Sequence, residues 1–359
     1  VNVLGFLQSE TDECVFYRGS VVYLLYTDDS IFAGPDQKEI DQVIKDLKKA
    51  KLDITVEGDI QDFLGVNIEK HKDGTARLTQ PHLIDSVLDD LRMNNNQVVP
   101  KTIPAKSSEI LGRHDDSEPF DNSFNYRSVI GKLNYLEKGS RPDIAYIVHQ
   151  CARFTTNPKV EHGKAIRWLG RYLKGTRDKG MILWPNGDLG LEVYVDADFV
   201  GNYKEEDSSH PDTARSRHGY IVSYGGCPTQ WKSQLQMEIT LSSTESEYTG
   251  LSYALRDAIP MMNLLDEMKQ FGFPVFGEKP TVHCRVYEDN SGALVMAKEF
   301  KYRTRTKHPC VKLHHFRHYV KAGKITVVPI STELQPADML TIPLNDVLHM
   351  RHRKTVMGW

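Results

Sequence analysis

Val21-Val22-Tyr23-Leu24-Leu25-Tyr26-Thr27-Asp28-Asp29-Ser30-Ile31-Phe32-Ala33-Gly34 places two adjacent carboxylates between two runs of strong β-formers. Apolar runs meeting at a short polar break predict a β-hairpin with Thr27-Asp28-Asp29-Ser30 in its turn. Side-by-side like charges are costly to bury unless a cation takes up the charge. The hairpin tip is therefore either a solvated turn or a divalent-metal site. Asp is common in turns for local hydrogen-bonding reasons, which alone favours the solvated turn. The aromatic at Tyr26 and the aliphatic strands on both sides shift the balance toward metal.

Working outward, Ile40, Val43, Ile44 and Leu47 recur at helical spacing behind Pro35-Asp36, a plausible helix start. Phe63-Leu64-Gly65-Val66-Asn67-Ile68-Glu69 and Leu78-Thr79-Gln80 bracket Lys72-Asp73-Gly74 and read as a second hairpin. A helix follows with Leu83, Ile84, Val87, Leu88 and Leu91 on one face. The stretch 94–122 is polar and Pro-containing with little periodicity, and reads as a linker or exposed crossing. Residues 126–179 are helical by pattern, through Ile130, Leu133 and Leu136, then Ile144, Ile147, Val148 and Cys151, then Ile166, Leu169 and Leu173.

From Leu189 the texture becomes alternating strands followed by helices. Val193-Tyr194-Val195-Asp196-Ala197-Asp198 is a strand ending in acids. Further strands are read at 219–224, 229–233, 282–287 and 324–330. Ser242-Ser243-Thr244 caps a helix that carries Glu245 and Glu247. Asp289 follows a strand, and Gln335-Pro336-Ala337-Asp338 opens a short helix. Acids at strand ends and on a nearby helix can converge on one side of a mixed sheet. Two-metal phosphodiester cleavage needs such a convergence, because ions ~3.5–4 Å apart must be neutralised by several carboxylates. Hard cations such as Mg²⁺ prefer these oxygen ligands.

The composition bounds the class. The 359 residues are 40% hydrophobic and 26% charged, room for two or three domains of ordinary globular texture. No apolar run approaches the ~20 residues that cross a bilayer. The five cysteines (14, 151, 227, 284 and 310) form no C-x-x-C pair and suggest reduced thiols in an intracellular protein. A first residue of Val and an opening in mid-pattern suggest a piece of something longer. The net charge of −3 does not advertise nucleic-acid binding, but charge distribution outweighs the sum. Arg303, Arg305, Lys307 and His308 lie in a basic run between 298 and 324, either a solvated face or a phosphate-backbone contact. Asp212-Thr213-Ala214 has the letters of an aspartic-protease triplet, but its polar flanks read as loop. No zinc site, Gly-rich phosphate loop or Ser-His-Asp arrangement is evident.

Tyr26-Thr27-Asp28-Asp29 resembles the Tyr-x-Asp-Asp box of reverse transcriptases, and the segments after it resemble the copia class of retrotransposon polymerases in order and spacing. Tyr126-Arg127-Ser128, Ser140-Arg141-Pro142-Asp143-Ile144 and Arg171-Tyr172-Leu173-Lys174-Gly175-Thr176 continue that resemblance, and their plain role is helix packing. The stretch 189–359 is similar to the ribonuclease H of the same class. That likeness is carried by Asp196-Ala197-Asp198, Trp231-Lys232-Ser233, Leu241-Ser242-Ser243-Thr244-Glu245-Ser246-Glu247-Tyr248, Asp289-Asn290, Arg305-Thr306-Lys307-His308 and Gln335-Pro336-Ala337-Asp338.

The resemblance implies an α/β (α+β) chain: a partial polymerase palm and thumb over 1–95, a linker and helical connection over 96–187, and a ribonuclease H mixed sheet flanked by helices over 188–359. It implies catalytic, metal-binding roles for Asp196, Glu247, Asp289 and Asp338, with Mg²⁺ as cofactor, and for Asp28 and Asp29 in a complete polymerase. Asp196 is preferred to Asp198 because it directly follows the strand and begins the family's Asp-Ala pair, and Glu247 to Glu245 because Glu-Tyr aligns with the family's Glu and following hydrophobic residue. Tyr26, Arg303, Arg305, Lys307 and His308 are the implied substrate contacts. The implied partners are an RNA–DNA hybrid, a primer-template and the rest of a Pol polyprotein, with no membrane. The implied location is a cytoplasmic virus-like particle, with a nuclear stage left open. The alternative is a decayed or domesticated remnant that binds nucleic acid without catalysis. No acid upstream of the hairpin supplies the third palm carboxylate, so this chain alone is not expected to extend a primer.

Overall fold

The computed structural model describes residues 4–106, 110–277, 282–298 and 315–359. Arg303, Arg305, Lys307 and His308 lie outside the described residues. The opening segment is an antiparallel meander of β1 (Leu7–Gln8), β2 (Val15–Arg18), β3 (Val21–Tyr26) and β4 (Asp29–Ala33). The hairpin turn is tighter than predicted. Tyr26 pairs with Asp29, leaving only Thr27 and Asp28 in the turn, and Thr27 takes a φ of 51°. A positive φ at the first turn residue suits the twist of two-residue hairpins. Asp29 and Ser30 are therefore strand residues.

Helix α1 (Gln37–Lys49) starts where the side chain of Asp36 accepts the Lys38 N–H, and ends with Lys48 and Lys49 in its last turn. Both features complement the helix dipole. Its Val43 and Leu47 pack on Phe6, just before β1, and on Phe16, Val21 and Tyr23 of the sheet. Strands β5 (Asp62–Phe63), β6 (Val66–Lys70) and β7 (Ala76–Thr79) follow. The predicted turn between β6 and β7 forms, with Asp73 Oδ1 accepting the Thr75 N–H at 3.0 Å and Gly74 at a φ of 86°.

Helices α2 (Pro81–Asp90), α3 (Tyr126–Gly139), α4 (Ala145–Ala152) and α5 (Val160–Gly175) share one apolar core, which draws on Ile84, Leu88, Leu133, Val148, Ile166 and Leu169. Strand β8 (Met181–Leu183) returns to pair with β7, Leu78 opposite Met181. Segments far apart in sequence thus close the sheet β5-β6-β7-β8.

The remaining elements build a second α/β unit: β9 (Leu191–Asp198), β10 (Arg217–Tyr224), β11 (Cys227–Leu235), α6 (Ser243–Gln270), β12 (Cys284–Glu288), α7 (Ser291–Lys298), α8 (Arg317–Lys321), β13 (Ile325–Pro329) and α9 (Asp346–Met357). The strand order is β11-β10-β9-β12-β13. The first three strands are antiparallel, and β12 runs parallel to both β9 and β13. This is a mixed sheet flanked by helices, as the sequence leads one to expect for 188–359. Val193, Val195, Tyr220 and Val222 face α6 and α7. Ile221 on the opposite face packs with Met339, Leu340, Val356 and Met357. Asp212 falls in a single 3-10 turn, Pro211–Thr213, as a loop reading requires.

The N-terminal meander and the helical segment both dock on this unit. Tyr17 of β2 stacks on Phe271 beyond the end of α6, with ring centroids 4.2 Å apart. Ser9 Oγ donates to Glu267 Oε2 at 2.7 Å. Trp231 of β11 donates its indole N–H to the Glu137 carbonyl of α3 at 3.0 Å. Among the described residues, no helix is long and apolar enough to cross a membrane.

Candidate acidic metal centre

Strand β9 runs on through Asp198, so Asp196 lies inside the strand rather than just past its end. Asp196 and Asp198 fall on one face by the two-residue repeat. Gly219 is the cross-strand partner of Asp196. A Cβ at Gly219 would lie 2.6 Å from Leu340 Cβ, so the lack of a side chain there lets the 3-10 turn Pro336–Leu340 sit directly on β10. That turn carries Asp338.

Helix α6 supplies Glu247. Ser242 caps the helix by accepting the Glu245 N–H at 3.2 Å, and Glu245 Oε2 accepts the Leu241 N–H at 2.8 Å. Glu245 is thereby occupied at the helix start, while Glu247 is 6% exposed. Asp289 immediately follows β12, where its Oδ2 accepts the Thr332 hydroxyl at 2.6 Å.

Asp196, Glu247 and Asp289 each offer a carboxylate oxygen, and these oxygens all lie within 4.8 Å of one another. Asp338 stands outside that trio but feels the charges of Asp196 and Asp289. Gln335 fixes its turn: Nε2 donates to the Val195 carbonyl at 2.8 Å and to the Tyr287 carbonyl at 3.4 Å, tying β9 to β12. The sequence named Gln335 only as a motif letter.

Crowding and burial leave a plain electrostatic signature. Burial, with the negative charges of Asp289 and Asp198, pushes Asp196 up to about 7, against a hydrogen bond from the Thr341 hydroxyl. Burial, with Asp196, Glu288 and Asp289, pushes Glu247 up to about 11. Burial, with Asp196 and Asp289, pushes Asp338 up to about 8. Glu247 Oε2, Asp338 Oδ1 and Glu288 Oε2 are buried without a hydrogen-bond partner. Partnerless buried oxygens in mutual repulsion fit a hard divalent cation, which would reverse the sign of the local field. Sequence reasoning missed Glu288, Thr332 and Thr341. Glu288 stood beside Asp289 and could have been flagged; neither threonine carries a signal of its own.

The hairpin acids are placed differently. Asp28 and Asp29 are exposed beside an exposed Tyr26. No third carboxylate joins them in a ligand cluster among the described residues.

Residues 1–107 match the family model described as Reverse transcriptase (RNA-dependent DNA polymerase). The Retrovirus-related Pol polyprotein from transposon TNT 1-94 of Nicotiana tabacum is 31% identical over 355 residues, which is 95% of this chain and 25% of that protein. The corresponding polyprotein from transposon RE1 of Arabidopsis thaliana is 31% identical over 346 residues, 95% of this chain and 22% of that protein. Among solved structures, the N-terminal RNase H domain of a Mycobacterium tuberculosis protein, fused to maltose-binding protein, covers 47% of this chain and 100% of that chain at 14% identity. Its TM-score of 0.29 is too low to establish a shared fold. In this chain a reverse-transcriptase match is followed by a mixed sheet with converging acids. Over 95% of its length the chain is similar to these copia-type retrotransposon Pol polyproteins, and its first 107 residues match the reverse transcriptase family. It spans 25% and 22% of the length of these two relatives.

Proposed function

We propose that the 188–359 part of this chain cleaves the RNA strand of RNA–DNA hybrids in a Mg²⁺-dependent reaction, within a longer Pol polyprotein that copies RNA into DNA. The observation that carries this reading is the meeting of Asp196, Glu247 and Asp289 within 4.8 Å. Asp196, Glu247, Asp289 and Asp338 are the residues that would hold Mg²⁺. Bound there, the ions supply a Lewis acid for the scissile phosphate and lower the pKa of the attacking water.

The chain's own residues do the positioning. Thr341 fixes one oxygen of Asp196 and Thr332 one oxygen of Asp289. Gln335 holds the two central strands at the spacing the acids need. The packing of Leu340 on Gly219 keeps the Asp338 turn against the sheet. Geometry held in this way before substrate arrives is what electrostatic catalysis requires.

The test is cleavage of an end-labelled RNA–DNA hybrid by the purified chain, with and without Mg²⁺, beside Asp289→Asn. The amide keeps the shape of the side chain and loses the charge. Mg²⁺-dependent cleavage lost in Asp289→Asn, with a metal-free thermal melt no lower than that of the wild type, is the expected result. Turnover retained by the variant would remove the metal assignment. A wild-type chain that binds the hybrid without cutting it would favour the decayed-remnant alternative.

A further inference from the structure

A cavity of about 200 Å³ opens on α5, remote in sequence from the acidic set. Its walls are apolar where Leu111, Ile147 and Ala165 line it, and Trp168 forms part of the lining. Among the described residues its charged lining is cationic: Lys106, Lys164, Arg167 and Arg171. Lys101 adds a further cation, with its Nζ 4.2 Å from the Trp168 ring centre.

Several of these groups are fixed in place. Trp168 donates its indole N–H to the Ile103 carbonyl at 3.0 Å. Arg167 donates to the Leu91 carbonyl at 3.1 Å and to Ser123 Oγ at 3.0 Å. Arg171 Nε donates to the Val99 carbonyl at 2.6 Å. Lys164 is different: its side chain is 70% exposed, and it meets Glu161 at 3.6 Å. An exposed ion pair of that length holds its lysine weakly. The lysine can therefore turn toward an incoming anion.

We propose that this cavity takes an unpaired base of a single-stranded nucleic acid, with the flanking phosphate against Lys164 and Arg171. An apolar cavity of about 150 Å³ admits one benzene-sized ring. This one therefore has room for a single base and not for a stacked pair. Apolar walls and an indole suit the face of a base, and the cationic rim suits the phosphate. Aromatic side chains combined with a basic groove are the general means of binding single strands without reading sequence. The inference extends the proposed nucleic-acid substrate to a site that uses none of the acids. It is tested without divalent metal, so its failure leaves the cleavage reading standing.

The experiment measures binding of a labelled oligothymidylate, and of an abasic strand of equal length, to the full chain in EDTA. The wild-type chain is expected to prefer the oligothymidylate by about tenfold, the scale of one base–aromatic stack. Ala165→Phe fills the cavity and should abolish that preference while leaving abasic binding unchanged. Lys164→Ala should weaken both and reduce the slope of log affinity against log salt by about 0.7. Equal wild-type affinity for the two strands overturns the proposal. So does an Ala165→Phe chain that melts normally and keeps the preference. Should Ala165→Phe fail to fold, the wild-type comparison and the Lys164→Ala slope decide.

Discussion

Arg217 stands directly opposite Asp198 in the β9–β10 ladder. The arginine is 1% exposed, donates to Ser233 Oγ at 3.0 Å, and lies 5.5 Å from the Tyr146 ring centre of α4. Burial raises the Asp198 carboxyl, and the Arg217 charge opposes that rise. Among the described residues no such cation acts on Asp196, which instead faces Asp289 and Asp198. Two acids separated by one residue thus sit in opposite electrostatic settings.

Opposite outcomes are expected from the same chemical change at these two positions. Asp196→Asn should lose hybrid cleavage and raise the metal-free melting temperature, because it removes a repelled charge. Asp198→Asn should lower the melting temperature, because it leaves a buried guanidinium uncompensated, and should keep measurable cleavage. Cleavage and melting in EDTA of both variants check this. Loss of cleavage in Asp198→Asn with an unchanged melt would reverse the assignment.

Stability should depend on pH through the acidic set, with a definite sign. Folded-state values of about 7 for Asp196, about 8 for Asp338 and about 11 for Glu247 exceed the usual carboxylate range. The folded state therefore binds more protons than the unfolded chain in these windows, and stability falls as pH rises through them. Burial lowers His162, His218, His349 and His352, so these residues oppose that trend below about pH 6.5. Comparison with Glu247→Gln isolates the acid. The variant should melt above the wild type in EDTA, by more at about pH 8 than at about pH 5, and should gain less from added Mg²⁺. Parallel melting curves at the two pH values would contradict the repulsion described here.

The connection carries a buried ion pair that ties the motif Ser140-Arg141-Pro142-Asp143 to α5. Arg141 donates Nε to Asp143 Oδ1 at 2.9 Å and Nη2 to Oδ2 at 2.8 Å, and both side chains are fully buried. The Tyr172 hydroxyl donates to Asp143 Oδ2 at 2.6 Å, and Arg141 Nη1 donates to the Thr176 carbonyl at 3.2 Å. Burial works against the Asp143 carboxylate, but the Arg141 charge and these donors hold it below the usual range. Asp143→Asn should cost about 3–5 kcal/mol in denaturant unfolding, since it strands a charge in the core. Arg141→Met with Asp143→Leu should recover part of that loss. A single variant as stable as the wild type would show that the pair is not buried as described.

The 359-residue chain is expected not to extend a primer. Asp28 and Asp29 are exposed at their hairpin. Of the acids before them, Asp12 is engaged in its own turn, where Oδ1 accepts the Cys14 N–H at 2.9 Å. Two carboxylates leave the metal–nucleotide charge under-neutralised. Template-directed extension by the purified chain would show that the polymerase site has been misplaced.

Local chemistry made most elements legible in the sequence. Asp36 and Ser242 marked helix starts by their capping side chains, and alternation marked β9, because caps and side-chain periods are properties of a few neighbouring residues. The motif letters carried the acidic set as far as its members. The hairpin turn was read two residues too long, because pattern fixes the strands but not the φ that Thr27 adopts.

Tertiary structure alone decided how the acids meet. Asp196, Glu247 and Asp289 form the tight trio, with Asp338 beside them on a turn held by Gln335. The hydroxyls of Thr332 and Thr341, the buried Glu288, the return of β8 to β7 and the stacking of Tyr17 on Phe271 are equally absent from any local pattern. Each joins side chains or strands distant in the chain, or exposes a group to a field set by such neighbours. A sequence window determines what a segment can form, while burial and charge at a site depend on which distant segments pack around it.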